Sequence, residues 1–256
     1  MKKKIILVTN DDGINSDGIK SLAQAMRNIG VVYIVAPDSE QSGVSHSLSL
    51  RKPIKIEKTG IRSYQVAGTP TDCVLIAIKK ILPSLPSLVV SGINKGPNLG
   101  DDVTYSGTVS AAMEGTLFGI NSIAFSLASY KDNDFSAASE ISASIAKSVI
   151  NKKFPLNTFL NVNIPGVSLG RIRGIKITHQ GDRIYQDYVR NETGKNGKNY
   201  YWIESNEPYG EYDNGSDLQA VKDGFISITP LQLDMTNYHG IRQVSSWLEK
   251  INLCKL

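Results

Sequence analysis

Two hydrophobic rhythms alternate along this chain. The first is the short unbroken apolar run, such as IILV at 5–8, rich in the residues that fill a strand buried on both faces. The second is a recurrence every three or four residues: Ile19, Leu22, Ala23, Met26 and Ile29 fall on one face of a helix that Asp17 can cap and Gly30 can stop. A second buried strand over 31–35, ending at Ala36-Pro37, completes a βαβ unit. The segment 47–65 alternates as hairpin strands do, and a helix capped by Thr71 or Asp72 follows through Val74, Leu75, Ile78 and Leu82. The pattern then gives a strand at 88–91, a helix at 106–118 with small residues Gly107, Ser110, Ala111 and Gly115 on one side, a strand at 122–127, a helix at 136–150 and a strand at 159–164. Strands alternating with helices predict an α/β fold with a doubly wound, mostly parallel sheet.

After about Gly170 the rhythm breaks. Tyr185, Tyr188, Tyr200, Tyr201, Trp202, Tyr209 and Tyr212 lie among Gly, Asn and charged residues with no clean period. This predicts an extended hairpin arm at about 181–216, which either packs on another subunit, a use to which tyrosine is suited, or folds back on its own domain. A strand at 225–229 and a helix at 244–251 return to ordinary structure. No internal repeat interrupts the chain, and 1–256 is read as one domain.

Composition narrows the picture modestly. With 256 residues, 41% hydrophobic, the chain can bury a sizeable core. The formal charge of +4 and pI near 8.9 come from scattered basic residues, apart from the initial KKK and Lys152-Lys153. That excludes a concentrated nucleic-acid face and suits a small anionic ligand. Cys73 and Cys254 have no metal-site spacing, which points to a reducing compartment. No apolar run reaches the roughly 18 residues of a membrane span, so a cytoplasmic protein with no membrane partner is expected.

The chemistry should collect at the carboxyl ends of the strands. There the first strand ends in Asn10, Asp11, Asp12 and Gly13; the second leads to Glu40, Gln41, Ser42, Gly43 and His46; the strand at 88 leads to Asn94, Lys95 and Asn98. This oxygen-rich set suits Mg²⁺ or Mn²⁺ better than zinc. A divalent ion would cancel the repulsion between Asp11 and Asp12, with Gly13 allowing the turn; the other reading of DDG is a plain turn. Ser106 opens a helix whose N–H groups could hold phosphate, or it is a simple cap. Lys95 could add a cation, and His46 an acid or donor; His179 and His239 are read as structural. Neither GxGxxG nor GxxxxGK[ST] follows a strand.

The blocks VTNDDGINSDGI, IVAPDSEQSGVSHSLSL, GTPTDCVLIAI, LVVSGINKGPNLGDDVTYSGTVSAAMEG and GFISITPL, in this order over nearly the whole chain, together resemble the SurE family of stationary-phase survival proteins. The resemblance implies a Rossmann-like fold, metal-dependent hydrolysis of nucleoside 5′-monophosphates, with 3′-nucleotides and short polyphosphate as further substrates, and dimers or tetramers built by exchange of the carboxyl-terminal arm. It implies one Mg²⁺ or Mn²⁺ held by Asp11, Asp12, Ser42 and Asn94, with Asp11 and Asp12 also catalytic. Gly43, His46, Lys95, Asn98, Ser106, Gly107 and Thr108 are the expected substrate contacts. Where the family often has Arg-Ser or Lys-Ser and Asn-Arg-Gly, this chain has Gln41-Ser42 and Asn94-Lys95-Gly96. A metal-activated water is the expected nucleophile, ahead of an aspartyl-phosphate route. The alternative from another class is a non-catalytic metal-dependent nucleotide or phosphate sensor.

Overall fold

The structure, a computed structural model, describes residues 4–131, 134–182, 187–194, 197–205 and 212–248. Tyr185, Tyr209, Cys254, the first two lysines of KKK and the last residues of the expected terminal helix lie outside them. The apolar runs fold into strands at Ile5–Thr9 (β1), Val31–Pro37 (β2), Ile56–Gly60 (β3), Ser63–Val66 (β4), Leu88–Lys95 (β5), Ser122–Ala128 (β6), Thr158–Pro165 (β7), Ile175–Ile177 (β8) and Ile226–Gln232 (β11). The arm contributes Asp187–Thr193 (β9) and Asn199–Ser205 (β10), paired antiparallel. Helices span Asp17–Met26 (α1), Pro70–Ile76 (α2, continued by a π-helical turn to Ile81), Gly107–Leu117 (α3), Ser136–Val149 (α4), Asp217–Lys222 (α5) and Ile241–Leu248 (α6).

The sheet runs β3-β4-β2-β1-β5-β6-β7-β11-β8. Its central strands β2, β1, β5, β6 and β7 are parallel, whereas β3 and β11 run antiparallel to their neighbours β4 and β7. This is the expected Rossmann-like, doubly wound architecture. Ile6 and Val8 point to the layer containing Leu22, Met26 and Phe135, while Leu7 between them points to Val74 and Ala111. Both faces of β1 are therefore buried, which is why its sequence shows no polar alternation. The chain leaves β1 for β2 on one side and returns as β5 on the other, so a crevice opens at the carboxyl ends of β1 and β5.

Local details differ from expectation where side-chain geometry decides. Ser16, not Asp17, is the N-cap of α1. The cap of α2 is Thr69, whose hydroxyl accepts from the Asp72 N–H while Asp72 accepts from the Thr69 N–H; Pro70 fits the first helical position, where no N–H is required. Strand β5 does not stop at Ser91. It continues to Lys95 through a register irregularity against β6, at Gly92, where φ is +124° and a Cβ would lie 2.2 Å from the Phe125 carbonyl oxygen. No helix among the described residues is long and apolar enough to cross a membrane.

Candidate active site

The paired aspartates are set by the turn that ends β1. Asn10 is fully buried, and its amide donates to the Gly13 carbonyl at 3.0 Å and to Ser16 Oγ at 2.9 Å. Gly13, at φ +91°, supplies the left-handed step. The second loop is stitched to the first by Gln41 N–H donating to the Asp11 carbonyl at 2.7 Å and Ile14 N–H to the Pro37 carbonyl at 2.8 Å. Asp11 is buried, and its carboxylate accepts from the Thr108 hydroxyl and N–H. Gly107 makes this approach possible, because a Cβ there would sit 2.7 Å from Asp11 Cβ. Asp12, half-buried, accepts from the Lys95 N–H.

Both acids are held above their ordinary range. Burial raises Asp11, against the hydroxyl of Thr108. Burial and then the neighbouring Asp11 push Asp12 from 3.8 to about 7. Glu40, which the sequence reading left without a role, adds negative charge near both, and Ser42 Oγ donates to its carboxylate at 2.7 Å.

These groups face a cavity of about 640 Å³. Of the residues expected at the site, Asp11, Asp12, Ser42, Gly43, Asn94, Lys95, Asn98 and Ser106 line it. Gly107 and Thr108 stand behind Asp11 and shape it, so Thr108 serves the carboxylate instead of the cavity. His46 does not line it: its Nε2 lies 2.8 Å from Glu114, a buried acid further along α3. Ser106 caps α3, accepting from the Val109 N–H at 3.1 Å, and so places the positive end of that helix at the cavity. Asn98 is anchored from behind, its N–H donating to Asn163 at 2.8 Å and its side-chain amide to Ser126 at 2.8 Å.

Other lining residues had been given no role from the sequence, among them Glu40, Tyr105 and Tyr130. The tyrosines, 67% and 65% exposed, offer aromatic surface at the cavity. Tyr130 packs on Gly96, where φ is +104° and a Cβ would come within 2.4 Å of the ring. Nothing in the local pattern around Tyr130 announces this; the contact joins the end of β5 to the end of β6.

The donors fit a hard divalent cation. Two desolvated carboxylates make no ion pair with a basic side chain among the described residues, and a cation would remove the repulsion that raises Asp12. Asn94 donates its amide N–H to the Gly96 carbonyl at 2.9 Å, leaving its side-chain oxygen for a cation. No three His, Cys, Asp or Glu side chains converge as a metal site among the described residues. The candidate set completes two carboxylates with a hydroxyl and an amide oxygen, the ligand chemistry of Mg²⁺ and Mn²⁺.

Comparison with known proteins gives the family of the chain. The family model described as Survival protein SurE matches residues 6–187. A 5′-nucleotidase SurE of Geobacter sulfurreducens is 47% identical over 243 residues, covering 94% of this chain and 93% of that protein. The 5′-nucleotidase SurE of Aquifex aeolicus is 45% identical over 240 residues, covering 93% and 96%. A crystal structure of the Aquifex aeolicus SurE protein superposes with a TM-score of 0.86 at 44% identity, covering 95% of this chain and 99% of that one.

Proposed function

Because the chain belongs to the SurE family, we propose that it is a metal-dependent phosphomonoester hydrolase acting on nucleoside 5′-monophosphates, with 3′-nucleotides and short polyphosphate as further substrates. The observation that carries this reading is the meeting, in one cavity, of the Asp11-Asp12 pair, Ser42 and Asn94 with the amino end of α3. Mg²⁺ or Mn²⁺ held by Asp11, Asp12, Ser42 and Asn94 would supply positive charge to the phosphoryl oxygens and the attacking water.

The protein groups divide the remaining work. Gly43 N–H, the Lys95 ammonium, Ser106 and the Gly107 N–H at the amino end of α3 receive the phosphate oxygens, where preorganised donors act on developing charge. Asp11 is locked by Thr108 and serves as an anchor. Asp12, less buried than Asp11 and not enclosed by Thr108, orients the water and accepts its proton. An aspartyl-phosphate route ranks second, since Asp11 is enclosed by Thr108 and Gly107. Tyr105 and Tyr130 give a nucleobase faces on which to stack, an interaction worth about 1–3 kcal/mol per base.

Purified protein should release phosphate from AMP with Mn²⁺ or Mg²⁺, stop with EDTA, and turn over glycerol phosphate less efficiently. Absence of phosphate release with either metal would sink the enzyme reading and leave the sensor alternative.

The arm and α6 support self-association into a dimer or tetramer. Tyr201, Trp202 and Ile203 of the hairpin and Trp247 of α6 are exposed at 52–82%, more apolar surface than an isolated chain leaves open without use. Light scattering coupled to size exclusion should give twice or four times the 27.9 kDa chain mass; a monomer at micromolar concentration would refute it.

A further inference from the structure

Asp217 is a buried carboxylate at the start of α5, and three segments of the chain meet on it. Its Oδ2 accepts from the Gly100 N–H at 3.0 Å. Its Oδ1 accepts from the Gly181 N–H at 3.0 Å and the Leu218 N–H at 2.8 Å. The Gly100 carbonyl is gripped as well, accepting from the Gln180 side-chain amide at 2.9 Å. The peptide groups at Gly100 are thus held on both sides by the root of the arm.

Gly100 begins the 3₁₀ turn Gly100–Thr104. The Asp102 carbonyl of that turn accepts from the N–H of Tyr105 at 3.0 Å and of Ser106 at 3.1 Å. Any slip at Gly100 therefore moves Tyr105, Ser106 and the first turn of α3 together, and it reaches the second loop and Asp11 only through these, by Ser45, whose N–H donates to the Tyr105 carbonyl at 3.1 Å and whose hydroxyl donates to the Thr104 carbonyl at 2.7 Å, and by Thr108. We propose that Asp217 is a positioning residue for the phosphate-binding edge of the cavity, holding the 97–106 loop in register with α3 from the base of the arm. The assignment rests on the phosphatase reading above and adds a residue that touches neither metal nor substrate.

Asp217→Asn isolates this function. An asparagine has one acceptor oxygen, and that oxygen retains two bonds if it faces Gly181 and Leu218. Its NH₂ then opposes the Gly100 N–H, donor against donor, so the variant releases the loop, keeps the Gly181 and Leu218 bonds and leaves the Ser216 cap of α5 untouched. Removing a charge from a buried site offsets part of the lost bonding.

Calorimetric titration of the Mn²⁺-loaded protein with inorganic phosphate should show affinity about tenfold weaker in Asp217→Asn, the scale of losing a supporting partner. KM for AMP should rise in parallel, with Mn²⁺ affinity falling by a clearly smaller factor than phosphate affinity. Gln180→Ala should move phosphate affinity in the same direction by a smaller factor. Unchanged phosphate affinity in Asp217→Asn would overturn the proposal, and so would a parallel loss of Mn²⁺ affinity, which would mean that the whole site had collapsed. If the wild type binds phosphate yet hydrolyses no nucleotide, the phosphatase reading fails while the titration still decides the role of Asp217.

Discussion

Asp12→Asn is expected to lower kcat/KM for AMP by about 10³-fold, within the several kcal/mol that a metal site contributes to a transition state, and at the same time to stabilise the metal-free protein. The two effects share a cause. In the folded, metal-free state Asp12 is pushed to about 7 by burial and by Asp11, whereas an unfolded aspartate titrates near 3.9. Between those values the folded state binds more protons than the unfolded state, so stability falls as pH rises through the window and the penalty is complete above about pH 7. Asparagine carries no charge and still offers an oxygen to the Lys95 N–H. In EDTA at pH 8 the variant should be more stable by on the order of 2 kcal/mol, after allowing for solvent screening, or about 4–8 °C in Tm. The advantage should vanish toward pH 4. With Mn²⁺ the order should reverse, because only the wild type gains binding energy on folding. Thermal melts at pH 4, 6 and 8 with and without Mn²⁺ measure this directly. Full activity in the variant would show that the site is misplaced, and identical melts in EDTA would show that Asp12 carries no penalty.

Gly107→Ala tests the same site from behind. In the interior of an ordinary helix this change stabilises by up to about 1 kcal/mol. Here the added Cβ would meet Asp11 Cβ at 2.7 Å, Oδ2 at 2.9 Å and Cγ at 3.1 Å. Rotating the aspartate does not relieve the first contact, since that atom moves only with the backbone, and the Asp11 carbonyl is already tied to the Gln41 N–H. Either the start of α3 moves outward or Asp11 shifts, and both break the Thr108 bond. The expected result is a loss of about 1–3 kcal/mol, the usual scale of overpacking. kcat/KM should drop by about 10²-fold or more, as displacements near 1 Å at a reacting site do. A variant more stable and as active as wild type would mean that the contact relaxes freely.

What could be read from the chain follows from which forces are local. The run at 5–8 and the spacing of Ile19, Leu22 and Met26 record burial directly, because each side chain reports its own face. The parallel sheet and its alternating helices were therefore legible, as was the meeting at one edge of the loops that carry Asp11, Asp12, Ser42 and Asn94. Blocks in fixed order made the family plain. Backbone events were less legible: β5 passes Ser91 because Gly92 fits against the Phe125 carbonyl, and the cap of α2 shifted to Thr69 because Asp72 reaches back to it. Neither contact shows in hydrophobic period.

The sequence by itself determined the fold class, the edge where chemistry gathers and the oxygen-rich character of that edge. Only the tertiary structure decided how those residues divide their tasks. Thr108 turned out to serve Asp11, His46 to pair with Glu114, Tyr130 to wall the cavity by leaning on Gly96, and Asp217 to hold Gly100 from 117 residues away. Such pairings depend on the approach of separate elements, set by close packing across the whole sheet, and no window of sequence contains both partners.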